Sequence, residues 1–142
     1  MAHLTLAQAN TIIENALKKG EAMGLKPLTV AVLDAGGHLK ALGRADGASN
    51  LRAEMAMGKA NGCIALGVGG RWINQNALDR PHFITGLVGL TGGKVLPVPG
   101  GVLIKDGEET IGAVGITGDT SDNDETCAIA GIEAAGLAAQ TD

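Results

Sequence analysis

The segment Val30-Ala31-Val32-Leu33-Asp34-Ala35-Gly36-Gly37-His38-Leu39-Lys40-Ala41-Leu42-Gly43-Arg44 constrains the fold most, because two apolar runs meet across a turn that few residue types can make. Asp34 and the pair Gly36-Gly37 tolerate positive φ, which tight hairpin connections require. The spacing therefore predicts two antiparallel strands. Alternation along the second puts Leu39, Ala41 and Gly43 on one face and His38, Lys40, Leu42 and Arg44 on the other. The run Asp46-Gly47-Ala48-Ser49-Asn50 follows, rich in turn formers and helix caps, so a carboxylate stands just past the strand's end. Imidazole, guanidinium and carboxylate are expected to converge there. The bland alternative is that His38 is an ordinary turn histidine and that Arg44 and Asp46 form a local ion pair.

A second hairpin is signalled by Asp106-Gly107 between apolar runs at 102–105 and 110–117, with Pro97, Pro99 and Gly100-Gly101 as a rigid lead-in. A fifth short strand is expected near 95–98. Leu6, Ala9, Ile12, Ile13, Ala16, Leu17 and Met23 recur at helical spacing, with Thr5 and Gln8 as a capping box and Gly24 as a stop. A second helix, capped by Ser49 or Asn50, runs to about 66. It carries Arg52, Ala56, Lys59 and Cys63 on one stripe and Leu51, Met55, Gly58 and Gly62 on another. Short helices at 72–78 and 83–90 flank the turn Asp79-Arg80-Pro81. A final helix, capped by Ser121 with Asp124 or by Asp122 with Glu125, extends to about 139. Hairpins framed by helices predict one α+β domain over 1–142 with an antiparallel sheet.

Composition narrows the function classes. Hydrophobic residues make up 45% and charged ones 18%, and Trp72 and Phe83 are the only aromatics, so the core must be aliphatic. The 23 glycines are scattered among aliphatic residues, which suggests close backbone packing rather than low complexity. A formal charge of -4, with almost no stacking surface, argues against nucleic acid. Cys63 and Cys127 read as reduced, buried thiols. With no charged n-region before an apolar core and no twenty-residue apolar span, the expectation is a cytoplasmic protein with no membrane partner.

Several signatures fail on chemistry. Gly93-Lys94 is followed by Val95 and lacks the remainder of a phosphate loop; Gly67-Val68-Gly69-Gly70 follows a helix rather than a strand; there is no Gly-x-Ser-x-Gly elbow. Asp119, Asp122, Asp124 and Glu125 gather at a helix N-terminus, where the dipole favours them as caps, with a hard-cation site as the alternative. His3, His38 and His82 lack the spacing of a zinc helix. Haem iron needs only one imidazole, and His82 beside Phe83 is the candidate, against an ordinary surface histidine. Lys59 is either a solvated lysine or, with Arg44, part of an anion site.

The order of motifs carries a resemblance. Val32-Leu33-Asp34-Ala35-Gly36-Gly37-His38, then Arg44-Ala45-Asp46-Gly47-Ala48, then Lys59-Ala60, then Pro97-Val98-Pro99-Gly100-Gly101, then Ile111-Gly112-Ala113-Val114-Gly115-Ile116-Thr117-Gly118 resembles the GlcG/HbpS/PduO C-terminal family over nearly the whole chain. The resemblance implies a profilin-like antiparallel five-stranded sheet flanked by helices, assembly into homo-oligomers and, in some members, binding of haem or a corrinoid-related group. Some members sit beside glycolate or diol catabolism. One branch is an extracellular haem-responsive accessory to a sensor kinase, and this chain lacks the export signal expected of that branch. Asp34, His38, Arg44, Asp46, Lys59, Gly100, Gly101 and Gly118 match the family pattern, whereas Asp119 stands where relatives often carry a second glycine.

The leading expectation is a small-ligand-binding accessory protein for haem or a related tetrapyrrole, sited near the first hairpin and the Pro-Gly-Gly segment. Arg44 or Lys59 would neutralise a carboxylate of this small anionic molecule and a histidine would approach the metal. One alternative is a cofactor-independent catabolic enzyme with His38 as general base and Arg44 and Lys59 holding an anionic substrate. Another is a structural oligomerisation module built on small-residue helices.

Overall fold

In the computed structural model, which describes residues 2–142, the Thr5 hydroxyl accepts from the Gln8 amide at 3.1 Å and the Gln8 side chain accepts from the Thr5 amide at 3.0 Å. This reciprocal capping box starts α1 (Leu6–Ala22), and Gly24, at φ 69°, turns the chain away after it. β1 (Thr29–Asp34) and β2 (Leu39–Arg44) form the first hairpin, closed by the Asp34 amide on the His38 carbonyl at 2.9 Å. Then come α2 (Leu51–Leu66), α3 (Gly70–Asp79), α4 (Pro81–Leu90), β3 (Gly101–Asp106), β4 (Glu109–Thr117), α5 (Ser121–Ala134) and β5 (Ala138–Gln140). The strands pair antiparallel throughout in the order β2-β1-β4-β3-β5, an α+β fold with a five-stranded sheet flanked by helices.

Three local expectations are corrected. The fifth strand is β5, not 95–98: Pro97 and Pro99 remove ladder donors there, and the last helix stops at Ala134, where Gly136 at φ 76° releases the chain to pair with β3. The cap of α5 is Thr120, whose hydroxyl accepts from the Asn123 amide at 3.2 Å, one residue earlier than the sequence suggests. Strict alternation along β2 also fails. Val32 opposes Ala41 and Leu33 opposes Leu39, so Lys40 is an extra, bulged residue and Leu39 moves to the face opposite Ala41 and Gly43.

The pleat divides the core. Val30 and Val32 of β1, Val114 and Ile116 of β4 and Val102 and Ile104 of β3 meet Ile12 and Ala16 of α1 and Ala128 and Ile132 of α5. On the other face Leu33, Leu103 and Ala113 meet Ala60 and Cys63 of α2, Ile73 of α3 and Ile84 of α4. Each buried Val, Leu or Ile among them contributes about 1.5–3 kcal/mol. The core contains neither aromatic: Trp72 is 36% exposed and Phe83 is only half-buried. Gly101 and Gly115 lie opposite each other on β3 and β4, and α2 presses its backbone onto both. Gly58 and Gly62 on α2 likewise pack inside the molecule, against Leu96, Val95 and Ile73.

Candidate functional site

Asp34 organises the first turn. Its Oδ1 accepts from the amides of Gly36 and His38, both at 3.0 Å, and lies 3.4 Å from His38 Nδ1. Partial burial pushes its carboxyl up, but the two amides and the nearby imidazole outweigh it and hold the group below its usual range. His38 is 83% exposed and, with Asp34, His3 and Lys40, lines an open cleft of about 370 Å³.

Arg44 and Asp46 lie elsewhere. β2 separates Arg44 from His38 by about 20 Å at ~3.4 Å per residue. The guanidinium donates to the Ala48 carbonyl at 2.6 Å rather than pairing with Asp46. Asp46 instead borders a largely apolar cleft of about 320 Å³, with Glu21 and Lys26 as its other charged residues, between the end of α1 and the start of β1. The three groups read as convergent from sequence are therefore spread along the strand.

Lys59 is drawn inward, only 3% exposed. Its Nζ donates to the Ile116 carbonyl at 2.8 Å and to Asp124 Oδ2 at 3.1 Å, while Asp124 Oδ1 accepts from the Asp119 amide at 3.1 Å. Burial lowers the ammonium's affinity for its proton and raises that of the Asp124 carboxyl, although each charge pulls the other back. Gly100, at φ 113°, passes over this pair so closely that a Cβ would lie 2.8 Å from Nζ. Gly100 and Gly101 thus serve the closure of β3 onto α2 and Lys59.

The other acidic residues of the cluster at the start of α5 each have a partner. Asp119 accepts from the Asn123 side chain at 2.8 Å and from the Thr120 and Lys26 amides, which pull its carboxyl down to about 2. Arg71 joins Glu125 at 2.9 Å and Asp122 at 2.8 Å. Among the described residues, no group of three or more His, Cys, Asp or Glu is placed to hold a metal ion. Cys63 and Cys127 are buried and unpaired, their thiols pushed up by burial to about 12 and about 11.

A third cleft, of about 340 Å³, went unread in the sequence. Leu33 and Leu39 form its sheet side and Met57, Gly58 and Asn61 its α2 side, with Gly93 and Lys94 on a loop tied to α2 by the Asn61 side chain on the Lys94 carbonyl at 2.9 Å. Glu54 stands at its rim. One signal for it lay in the sequence and one feature emerges only in the fold. Met57 belongs to neither stripe read on α2, and Leu39 remains 51% exposed because of the bulge. His82, exposed near the start of α4, lines none of these three clefts.

Sheet, helices and open clefts define a small single-sheet α+β domain. The chain belongs to the HbpS-like family, described as haem degrading protein HbpS-like, whose model matches residues 4–133. Its fold is that of the PduOC–haem complex, 22% identical over 99% of this chain and 100% of that one, with a TM-score of 0.87. Klebsiella pneumoniae protein ORFY is 24% identical, covering 96% of this chain and 93% of that one at a TM-score of 0.86. HbpS is 25% identical, covering 94% and 90% at 0.80. A search of curated proteins found no match. No helix among the described residues is long and apolar enough to cross a membrane.

Proposed function

We propose that this chain is an accessory protein that binds haem or a related tetrapyrrole in the cleft between β2 and α2. The observation that carries the reading is the chemistry of that cleft: aliphatic walls from Leu33 and Leu39, a thioether from Met57, and one ammonium, Lys94, at the mouth. An amphipathic macrocycle needs an apolar seat and a cation for its carboxylates, and these residues fit both demands. Lys94 would hold a carboxylate and Met57 would approach the metal, whereas His82, at the start of α4, lies outside this cleft. Bound haem would supply redox and ligand-exchange chemistry at its iron. The family's description and the haem-bound relative of the same fold support the reading. A cleft of about 340 Å³ leaves much of a macrocycle uncovered, so the reading includes a homo-oligomer whose second copy covers it. The uncharged helix α4, with Leu90 83% exposed, supports self-association.

Hemin titration of the purified chain is expected to give a saturable Soret band, with Lys94→Glu weakening binding about tenfold through loss of one charge-assisted contact. Met57→Leu is expected to alter the spectrum, and sedimentation in the same series reads the subunit count. A featureless titration, or equal affinity in Lys94→Glu, would refute the cleft as the seat.

A second reading is favoured by the Asp34–His38 contact. A carboxylate 3.4 Å from Nδ1 favours a proton on that nitrogen, which would leave Nε2 free as a general base toward a small anionic metabolite attracted by Lys40. His38→Ala is then expected to abolish turnover while the circular dichroism spectrum stays native. Unchanged turnover in that variant eliminates His38 as the base.

A further inference from the structure

At the opposite end of β2 from that cleft, Arg44, Thr29 and Thr117 stand side by side across β2, β1 and β4. The intervening Val30 and Ile116 fill the core under α1 and α5, so the pleat turns both threonines to the α2 face. Arg52, in the first turn of α2, reaches down to the same row and donates to Thr117 Oγ1 at 2.8 Å. One guanidinium, that of Arg52, therefore touches a strip of two buried hydroxyls, and a second arginine, Arg44, stands at the strip's other end.

Two features of this corner lack an internal explanation. Thr29 is fully buried, yet its hydroxyl has no hydrogen-bond partner, a state that costs stability and is rare in folded proteins. Among the described residues, neither arginine forms a salt bridge, although acidic side chains outnumber basic ones, 15 to 11. Arg44 is exposed and anchored only to the Ala48 carbonyl, so a rotamer change frees it to turn toward the strip.

We propose that this corner is a binding site for a small oxyanion, a carboxylate or a phosphate group. Arg44 and Arg52 supply charge-assisted donors, and Thr29 and Thr117 donate their hydroxyl protons. The site is separate from the β2–α2 cleft and needs no tetrapyrrole, so either can fail alone.

The test is a titration of the ¹⁵N-labelled full chain with inorganic phosphate and, separately, malonate at constant ionic strength. Saturable shifts are expected at the amides of Thr29, Arg44, Arg52 and Thr117. Arg44→Gln and Arg52→Gln are each expected to weaken binding about tenfold. Tighter phosphate than malonate assigns the site to phosphate esters, and the reverse order assigns it to carboxylic acids. Thr29→Val keeps the side chain's shape and drops the unpartnered hydroxyl, so it is expected to raise the thermal midpoint while weakening the anion severalfold. Shifts that never saturate, or that scatter over all lysines and arginines, overturn the site. So does wild-type affinity in Thr29→Val, which would leave the hydroxyl to a buried water. Should Arg52→Gln fail to fold, Arg44→Gln decides, because that side chain is exposed and its loss leaves the core intact.

Discussion

Gly115→Val is expected to leave the domain largely unfolded. A Cβ at this position would fall on the Ala56 carbonyl oxygen and within 2.8 Å of the Ala60 nitrogen. Both are backbone atoms of α2, so no side chain can rotate away, and relief requires the whole helix to lift from the sheet. Lifting it would uncover Ala60, Cys63, Leu103 and Ala113 together. Core overpacking with no flexible neighbour belongs to the tail of substitution effects above about 4 kcal/mol, a large part of a total stability of roughly 5–15 kcal/mol. The matched control is Gly86→Ala on α4, where nothing lies within 4 Å of the added Cβ and helix propensity favours alanine. That variant is expected to gain about 0.5–1 kcal/mol. Urea denaturation followed by circular dichroism measures both. A Gly115→Val midpoint close to wild type would mean that α2 does not rest on the sheet as described.

Asp124→Ala is expected to cost about 3–5 kcal/mol, because it strands the Lys59 ammonium in the interior. The partner carboxylate is 1% exposed and the ammonium 3%, so water cannot take its place without opening the junction of α2 and α5. Both groups are pushed toward neutrality by burial, Lys59 below and Asp124 above its usual range. For each, the charged form is the one that burial disfavours. The pair therefore adds less than its geometry suggests, while its disruption is severe. Lys59→Met with Asp124→Leu, which removes both charges, is expected to recover most of the loss, less the contact to the Asp119 amide. A calorimetric midpoint for Asp124→Ala within a few degrees of wild type, or a double variant no better than the single, would contradict this account.

Much of the fold was written in local chemistry. Thr5 with Gln8, the turn at Asp34 to His38 and the turn at Asp106-Gly107 depend on neighbours in sequence, and each lies where those residues predicted. What depended on distant partners was less legible. The bulge at Lys40 reverses the facing of Leu39, and nothing in an alternating run announces one extra residue. β5 follows from a helix ending near Gly136, hidden in a sequence rich in alanine and glycine with no strong stop before it. Among the site residues, Asp34 and His38 meet because they share a turn, whereas Arg44 sits a strand away. Lys59 lies on its read helical stripe with Ala56 and Cys63. That stripe faces the sheet because Gly101 and Gly115 make room for it, a pairing visible only once β3 and β4 are in register.

The central strand of the sheet is β4, and its ladder with β1, Thr29 opposite Thr117, joins segments far apart in the sequence. During synthesis the first hairpin has no central neighbour until the helices after it, β3 and then β4 have left the ribosome. Until then Val30 and Val32 lack the strand beside them and the last helix above them, and hydrophobic surface of that kind attracts chaperones and promotes aggregation. Such a long-range closure is expected to make folding slow for a domain of this size.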